Sequence, residues 1–375
     1  MDALDRSMQE SGADAYVLIG SSENADMRYL TRYITTDPVV YIRKRGEQGV
    51  IIVSQMEYDR AVREAAVPAM TRAEAGLLRI LEEEKDRWRA LGRMIAEYVN
   101  GPVLVPPTFP YALGTAISGY SSVHLDTGTV EAIRAVKTRE EITHIRRIQK
   151  ATETAMAHAV DLIRSSKPKG GLLFLGKSPL SSERVRSAMH ELLRSRGCIA
   201  RETIVSCGED TATPHNRGSG PLRECEPIVI DIFPQDEENG YYSDMTRTVS
   251  RGEPAIEIRE MYTAVRDAQD LAAASIKSGV AGSAVYQAVV DLFKDQGYTT
   301  GLKGFTHNLG HGVGLEVHEL PTLGPGGDAL KAGNVVTNEP GLYYPGTGGV
   351  RIENVGVVTR NGFRCLTRFP RELVV

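Results

Sequence analysis

The segment HNLGHGVGLEVHELP, residues 307 to 321, holds three of the eight histidines in a chain of 375 residues, together with three glycines. On a helix, His311 and His318 would share a face, but Gly312 and Gly314 each disfavour a helix by about 1 kcal/mol relative to alanine. In a regular strand, their odd spacing places the two histidines on opposite faces. The spacing therefore favours two roles over a shared ion: one histidine as a metal ligand, the other as a proton donor or anion stabiliser. The glycines allow the backbone to pass close to a ligand.

Two aspartates lie upstream in stretches that have the pattern of strands. Asp231 follows four apolar positions in PIVIDIFP, and a buried carboxylate requires a partner because desolvating an unpaired charge costs several kcal/mol. Asp244 lies in the alternating stretch YYSDMTRT, which follows a connection typical of a hairpin, QDEENG. Strands joined in this way place both carboxylates side by side, where they repel unless a proton or cation lies between them. The alternative is that Asp244 pairs with Arg247 or caps a turn.

Two glutamates follow the histidine segment. In GGVRIENVGVVT, strand alternation places Glu353 on one face with Arg351 and the valines that follow. A glutamate on such a face is partly buried and requires a cation, which either Arg351 or a metal ion supplies. Glu339, in TNEPG, precedes a Pro-Gly turn, where a carboxylate is usually solvated.

These candidates comprise four carboxylates and one imidazole: Asp231, Asp244, His311, Glu339 and Glu353. Oxygen ligands with one nitrogen suit Mn²⁺, Co²⁺, Zn²⁺ or Fe²⁺. Four carboxylates supply too much negative charge for one divalent ion but suit two. Two ions a few ångströms apart can hold a bridging hydroxide as nucleophile and polarise a carbonyl.

The bulk composition excludes several classes of protein. Hydrophobic residues make up 41% and charged residues 25%, and the net charge is −4, so no basic field favours nucleic acid or anionic lipid. No uncharged apolar run is long enough to span a bilayer, and the N-terminal stretch does not resemble a signal peptide. The four cysteines are scattered without a CxxC pair, which disfavours a zinc knuckle or a disulfide framework and fits a reducing, cytoplasmic location.

The length of the chain predicts two domains, since it exceeds what one hydrophobic core usually serves. Over residues 1–127, apolar runs at 14–20, 49–54 and 101–107 alternate with helix-compatible stretches, which predicts a small α/β domain. A long helical pattern starts near Thr129. Over 128–375, helices and then strands occur twice, which predicts a duplicated α+β domain. Its second pair of helices, 255–278 and 282–296, closes on Gly279 and Gly297.

The second domain resembles the pita-bread metallopeptidases, in the branch of prolidase and aminopeptidase P. The resemblance is carried by YYSDMTRT, GHGVGLEVHE and NEPGLYYPGTGGVRIEN in this order, and runs from about residue 129 to the C-terminus. Residues 1–127 are more weakly similar to the N-terminal domain of this branch and of creatinase. The resemblance implies an α+β fold, a homodimer, and metal-dependent hydrolysis of the bond before proline in Xaa-Pro dipeptides or short Xaa-Pro peptides.

The resemblance also implies a ligand set for two divalent ions. Asp231 and Asp244 would hold one ion, His311 and Glu339 the other, and Asp244 and Glu353 would bridge them. Glu339 would in addition take the proton of the nucleophile and pass it towards the leaving prolyl nitrogen.

Five further residues match positions near the substrate. His318 would hydrogen-bond the peptide carbonyl, and His215, in ATPHNRG, would assist beside it. Arg351 would bind the substrate end or orient Glu353. His307 would line the proline pocket, and Tyr343 would line the site.

Three departures from the family pattern affect the substrate more than the metal. Phe233 stands where the family usually has glycine, and RIEN replaces the commoner RIED. The gap between the two aspartates is longer by about two residues, which predicts an altered turn or a bulge. The alternatives are creatinase, which works without metal, methionine aminopeptidase, a non-catalytic binding relative, and a hydrolase of another small amide. The complete ligand set disfavours creatinase and the non-catalytic binding relative.

Overall fold

The computed structural model describes residues 2–375, which form two compact units, residues 2–134 and Ala135–Val375. The helix Thr129–Arg134 falls in the first unit, so this division lies one short helix beyond the predicted boundary between 127 and 128. Among residues 2–375, no helix combines the length and the apolarity needed to cross a membrane.

The first unit is a mixed sheet with helices on both faces. The sheet has the order β4-β3-β2-β1-β5-β6. Its strands are β1 (Ala15–Gly20), β2 (Val39–Lys44), β3 (Val50–Val53), β4 (Ala69–Thr71), β5 (Val103–Val105) and β6 (Val123–Leu125). Its helices are α1 (Ala3–Ser11), α2 (Ala25–Thr31), α3 (Gln55–Glu64), α4 (Leu77–Glu83), α5 (Arg87–Val99), α6 (Tyr111–Ser118) and α7 (Thr129–Arg134).

Strand alternation explains the two helical layers of this unit. In β1, Ala15 and Val17 pack into one apolar cluster with side chains of α4, α5 and α6. The intervening Tyr16 and Leu18 pack into a second cluster with α1, α2 and α3. Because successive side chains of a strand point to opposite faces, a strand buried on both faces is continuously apolar. The predicted strands at 14–20, 49–54 and 101–107 correspond to β1, β3 and β5.

The first half of the second unit packs two helices against a sheet of the order β11-β12-β14. Its helices are α8 (Arg139–Arg164) and α9 (Ser182–Arg194). Its strands are β7 (Lys167–Lys169), β8 (Leu172–Leu175), β9 (Ser178–Pro179), β10 (Cys198–Ile199), β11 (Ile204–Cys207), β12 (Ile228–Ile232), β13 (Gln235–Asp236) and β14 (Met245–Val249). The helical pattern predicted from Thr129 is divided, because Thr138 and Glu141 form a capping box that starts α8.

The second half repeats this arrangement with a sheet of the order β16-β15-β17-β20-β21. Its helices are α10 (Ile256–Ser275) and α11 (Gly282–Asp295). Its strands are β15 (Gly310–Gly312), β16 (Glu319–Leu323), β17 (Val335–Asn338), β18 (Gly341–Tyr344), β19 (Gly348–Arg351), β20 (Asn354–Val358) and β21 (Phe363–Cys365). A helix pair followed by strands therefore occurs twice, as the sequence predicts, and the predicted closing glycines Gly279 and Gly297 both have positive φ.

Candidate active site

The antiparallel pair β12–β14 brings the two aspartates to one buried face. Asp231 lies opposite Thr246, so Asp244, two residues before Thr246, is the diagonal neighbour of Asp231. Arg247 points to the other face, where its guanidinium donates to backbone carbonyls that include those of Glu353 and Phe369. The alternative that Asp244 pairs with Arg247 is therefore wrong.

The connection between the two aspartates is a folded loop and not a simple hairpin turn. Its short strand β13 pairs with β10, and Gln235 forms a bridge with Tyr242. The buried carboxylate of Asp236 accepts hydrogen bonds from the backbone N–H groups of Glu238 (3.0 Å) and Asn239 (3.2 Å). The altered turn predicted from the longer gap takes this form.

His311 and Glu339 form a second pair next to Asp244. The His311 Nε2 lies 3.1 Å from the Glu339 Oε1 and 3.9 Å from the Asp244 Oδ2. The Nδ1 of His311 faces the Gly312 carbonyl at 3.1 Å, which directs Nε2 to the carboxylates. The side chain of Glu339 is only 15% exposed and accepts a hydrogen bond from Thr337 (3.2 Å). The expectation of a solvated turn carboxylate is thus wrong.

Glu353 lies in a break between β19 and β20, so the predicted continuous strand through Arg351 and Glu353 is also wrong. Glu353 is 1% exposed, and its Oε2 accepts a hydrogen bond from the Thr246 hydroxyl at 2.8 Å. The guanidinium of Arg351 instead pairs with Asp231, with 2.6 Å between Nη2 and Oδ2. Arg351 is therefore not the cation that the buried Glu353 requires.

Three buried carboxylate oxygens have no hydrogen-bond partner among residues 2–375: Asp231 Oδ1, Asp244 Oδ1 and Glu353 Oε1. Burying such atoms without a partner is costly. Asp244, His311 and Glu353 also each offer a ligand atom, and these atoms lie within 4.8 Å of one another. An oxygen-rich set with one nitrogen suits a divalent transition-metal ion, so the residues present fit such a group.

Burial and mutual repulsion govern the protonation of these groups. Burial, followed by the charges of Glu353 and Asp231, raises the pKa of Asp244 well above its usual value. Burial and the charge of Glu339 do the same to the pKa of Glu353. Burial opposes the ionisation of both His311 and Glu339, but their hydrogen bond and opposite charges prevail, so the pKa of Glu339 falls to about 2 and that of His311 rises to about 9. Without a cation, two carboxyls resist ionisation.

This protonation pattern predicts that the metal-free protein loses stability as the pH rises from about 7 to about 9, because the lowered pKa values of His190, His307 and His318 act in the opposite direction only below about pH 6.5. Because the pKa values of Asp244 and Glu353 are raised in the folded protein, their protonated forms stabilise the fold relative to their ionised forms. This contribution is complete below about pH 4 and is lost as the pH rises towards the folded pKa values. His311 acts in the same direction, since its contribution is complete below about pH 6.5 and is lost through about pH 9. Glu339, with its pKa lowered to about 2, has gained its full contribution by about pH 5 and does not oppose the trend.

Calorimetry of the metal-free protein across this range should show a falling Tm, by about 2–4 °C for each kcal/mol lost. Added Mn²⁺ should reverse the fall at the alkaline end, because a bound ion stabilises the ionised carboxylates. The Asp244→Asn variant is the control, with a flatter dependence on pH. A Tm that rises with pH in the wild type, or does not respond to Mn²⁺, would contradict this description of the site.

The remaining predicted residues surround this cluster. The ring of His318 contacts that of His311 edge-on, with centroids 4.2 Å apart, and the residue is exposed overall. Burial, together with the charge of His311, lowers the pKa of His318. His215 is exposed, and its charge acts on both His307 and His318. His215, His307 and His318 therefore lie close enough to the cluster around His311 for charges to act between these groups.

A chain of hydrogen bonds links the predicted substrate-binding residues to Asp231. The His307 Nε2 lies 3.0 Å from the Tyr343 hydroxyl, which accepts a hydrogen bond from Arg351 at 2.8 Å. Arg351 also donates to Thr246 (3.2 Å), to the carbonyl of Pro214 (3.4 Å) and to Asp231. Thr246 was not among the predicted site residues, although the alternation in YYSDMTRT placed it on the face of Asp244.

A cavity of about 360 Å³ lies beside the residues that flank the aspartates and His318. Phe233 is two residues after Asp231, Tyr242 two residues before Asp244, and Val317 directly precedes His318. The residues that line the cavity are Ile199, Arg201, Glu202, Phe233, Gln235, Tyr242 and Val317. The departure at Phe233 therefore forms part of a cavity wall.

Comparison with known proteins extends these observations. Residues 143–360 match the sequence profile of metallopeptidase family M24, and residues 1–136 match that of the creatinase/prolidase N-terminal domain. An uncharacterised peptidase of Bacillus subtilis is 36% identical over 66% of each chain. An Xaa-Pro dipeptidase of Lactobacillus delbrueckii subsp. lactis is 29% identical, over 100% of this chain and 98% of its own.

Two solved structures are similar to this protein over nearly its whole chain. The Xaa-Pro dipeptidase from Bacillus anthracis has a TM-score of 0.85 at 26% identity and covers 99% of this chain and 98% of its own. The prolidase from Pyrococcus furiosus has a TM-score of 0.81 at 26% identity, over 98% of this chain and 100% of its own. The similarity therefore includes both compact units.

Proposed function

Since the chain belongs to metallopeptidase family M24, we propose that it hydrolyses the peptide bond preceding proline in Xaa-Pro dipeptides or short Xaa-Pro peptides. Two observations carry this proposal: buried carboxylate oxygens of Asp231, Asp244 and Glu353 have no hydrogen-bond partner among residues 2–375, and Asp244, Glu353 and His311 offer ligand atoms within 4.8 Å of one another. The substrate class is supported by the relatives named Xaa-Pro dipeptidase and prolidase.

The proposed metal centre uses the three carboxylate oxygens that have no hydrogen-bond partner among residues 2–375, together with the pair His311 and Glu339. Asp231 and Asp244 would hold one divalent ion through their partnerless oxygens, and His311 and Glu339 would hold a second. Asp244 and Glu353 would bridge the two ions, and Mn²⁺, Co²⁺, Zn²⁺ or Fe²⁺ suits these donors. Such ions, when bound, polarise a carbonyl and make water a nucleophile at neutral pH.

The protein groups around the metal centre would manage protons and charge. Glu339 would take the proton of the attacking water and deliver it to the prolyl nitrogen as that nitrogen leaves. His318 would donate a hydrogen bond to the peptide carbonyl oxygen as negative charge develops there. His215, whose charge acts on His318, would assist on the same side of the substrate.

Arg351 would position two other groups. Four hydrogen-bond acceptors occupy its guanidinium: Asp231, Tyr343, Thr246 and the carbonyl of Pro214. It would therefore orient Asp231 directly, and Glu353 only through the shared hydroxyl of Thr246. Tyr343 and His307, linked at 3.0 Å, would form the wall of the proline pocket.

The proposal is tested by reloading metal-free protein with Mn²⁺ or Co²⁺ and supplying Xaa-Pro dipeptides, Xaa-Pro-Yaa tripeptides and matched Xaa-Ala dipeptides. We expect cleavage before proline and slower cleavage before alanine. Cleavage of dipeptides alone would identify a prolidase, and cleavage of tripeptides an aminopeptidase P. No cleavage of either proline peptide by protein that holds two metal ions per chain would refute the peptidase proposal.

A second candidate is the hydrolysis of another small amide on the same scaffold. Phe233 favours it, since this side chain stands in a cavity wall where the resemblance predicts glycine. Faster cleavage of Xaa-Ala than of Xaa-Pro would support this candidate. A homodimer, a cytoplasmic location and a division into an N-terminal domain, 1–127, and a catalytic domain, 128–375, also form part of the proposal.

A further inference from the structure

A single buried amide joins the backbone segments that carry the two metal-centre glutamates. Gln269 lies in α10, is 1% exposed, and donates from Nε2 to the carbonyls of Asn338 (3.1 Å) and Ile352 (2.9 Å). Asn338 directly precedes Glu339, and Ile352 directly precedes Glu353. Asn338 returns a hydrogen bond from its side chain to the Gln269 carbonyl at 2.9 Å.

The partners of Gln269 fix the orientation of its amide. Its Oε1 accepts a hydrogen bond from the Arg371 guanidinium at 3.0 Å and faces the Asn354 Nδ2 at 3.5 Å. Rotating the amide by half a turn would place Oε1 against two carbonyl oxygens and the NH₂ group against a guanidinium. Both donors of the side chain are therefore committed to the two carbonyls.

Regular sheet structure does not hold the two glutamates themselves. The strand β17 ends at Asn338, one residue before Glu339, and β19 ends at Arg351, two residues before Glu353. We propose that Gln269 is a positioning residue, which sets the separation of these strand ends and thereby the affinity of the centre for divalent ions. This inference rests on the proposed metal centre.

Gln149 provides a matched control in the other half of the duplicated unit. It is also 1% exposed, and it lies in α8, the first long helix of its half. Its Nε2 faces only the Met245 Sδ, at 3.8 Å, and its Oε1 has no partner among the residues that the structure describes. The same substitution at Gln149 therefore removes an equally buried amide that holds no backbone carbonyl.

The test is a calorimetric titration of the metal-free full-length protein with Mn²⁺, for the wild type, Gln269→Met and Gln149→Met. Loss of a residue that orients metal ligands without binding the metal typically weakens metal affinity by about 10–100-fold. We expect the Kd for Mn²⁺ to rise by this factor in Gln269→Met. Gln149→Met should bind Mn²⁺ as the wild type does. Wild-type affinity in Gln269→Met, or an equal loss in Gln149→Met, would overturn the inference.

Folding is followed in the same samples by circular dichroism and thermal unfolding. A Gln269→Met protein with a lowered Tm and an unchanged Kd would show a merely structural role and would also overturn the inference. If Gln269→Met does not fold, Gln269→Asn decides the question, because it keeps the amide but is one methylene too short to bridge both carbonyls. Weakened Mn²⁺ binding is expected there, and wild-type affinity would refute positioning.

These outcomes separate the inference from the proposed function. Calorimetry detects Mn²⁺ binding whether or not peptides are cleaved. A wild-type protein that binds no Mn²⁺ would contradict the proposed metal centre itself. A wild type and a Gln269→Met variant that bind Mn²⁺ equally would contradict only the positioning role.

Discussion

Asp244→Asn is expected to abolish metal-dependent activity and to lower kcat/KM by more than about 100-fold. This exceeds the usual loss when only a residue that orients a metal ligand is removed. Asp244 faces His311 at 3.9 Å with one oxygen, and its other oxygen is buried without a partner among residues 2–375. Asparagine keeps the shape of the side chain but offers only one neutral oxygen, and its NH₂ group would point hydrogens at a cation. Metal content and the rate of Xaa-Pro cleavage measure the effect.

Asp236→Asn is the matched control for this experiment. Asp236 is as buried as Asp244 and lies in the connection that precedes it, but its carboxylate accepts hydrogen bonds from two backbone N–H groups. We expect this variant to keep wild-type metal content and rate. Unchanged stoichiometry and rate in Asp244→Asn, or equal losses in the two variants, would contradict the assignment of Asp244.

Local periodicity predicted those parts of the fold and site that depend on neighbours in sequence. Strand alternation placed Asp244 and Thr246 on one face, and a long helical pattern predicted the helix that the structure shows as α8. Both patterns depend only on the repeat of a regular element. The ends of elements were less well predicted, because the capping residue Thr138 divides a helical pattern that otherwise continues.

Local patterns could not predict ion pairs between residues that are distant in sequence. Strand alternation suggested Arg351 as a partner for Glu353, two residues away, but the guanidinium pairs with Asp231, 120 residues away. Glu353 instead accepts a hydrogen bond from the Thr246 hydroxyl, to which Arg351 also donates. Glu319 likewise forms a buried ion pair at 2.5 Å with Lys137, 182 residues away, which no local pattern indicates.

The glycines of GHGVG lie in close contact with neighbouring parts of the same unit. A Cβ on Gly310 would overlap the carbonyl of Thr337, and one on Gly312 would overlap that of Leu320. A Cβ on Gly314 would overlap the carboxylate of Glu319. The close approach that requires glycine is therefore made to other parts of the same unit, and it holds the histidine segment against its neighbours.

His311 and His318 meet despite a spacing that places them on opposite faces of a regular strand. A register irregularity between His311 and Gly312 ends the regular pairing of β15, and His318 lies in the bend before β16. The rings then contact edge-on, with centroids 4.2 Å apart. The Nε2 of His311 faces Glu339, whereas His318 is an exposed residue. This geometry supports different roles for the two histidines.

His318→Ala is accordingly expected to lower kcat by about 10²–10³-fold, the usual effect of removing one hydrogen-bond donor to a developing oxyanion. Metal content should stay at the wild-type level, because the lost side chain is not a proposed ligand. His158→Ala, in α8, is the control and should retain wild-type kcat. A loss of bound metal in His318→Ala that matches the loss of rate would make His318 a ligand, and an unchanged kcat would exclude it from stabilising the carbonyl oxygen.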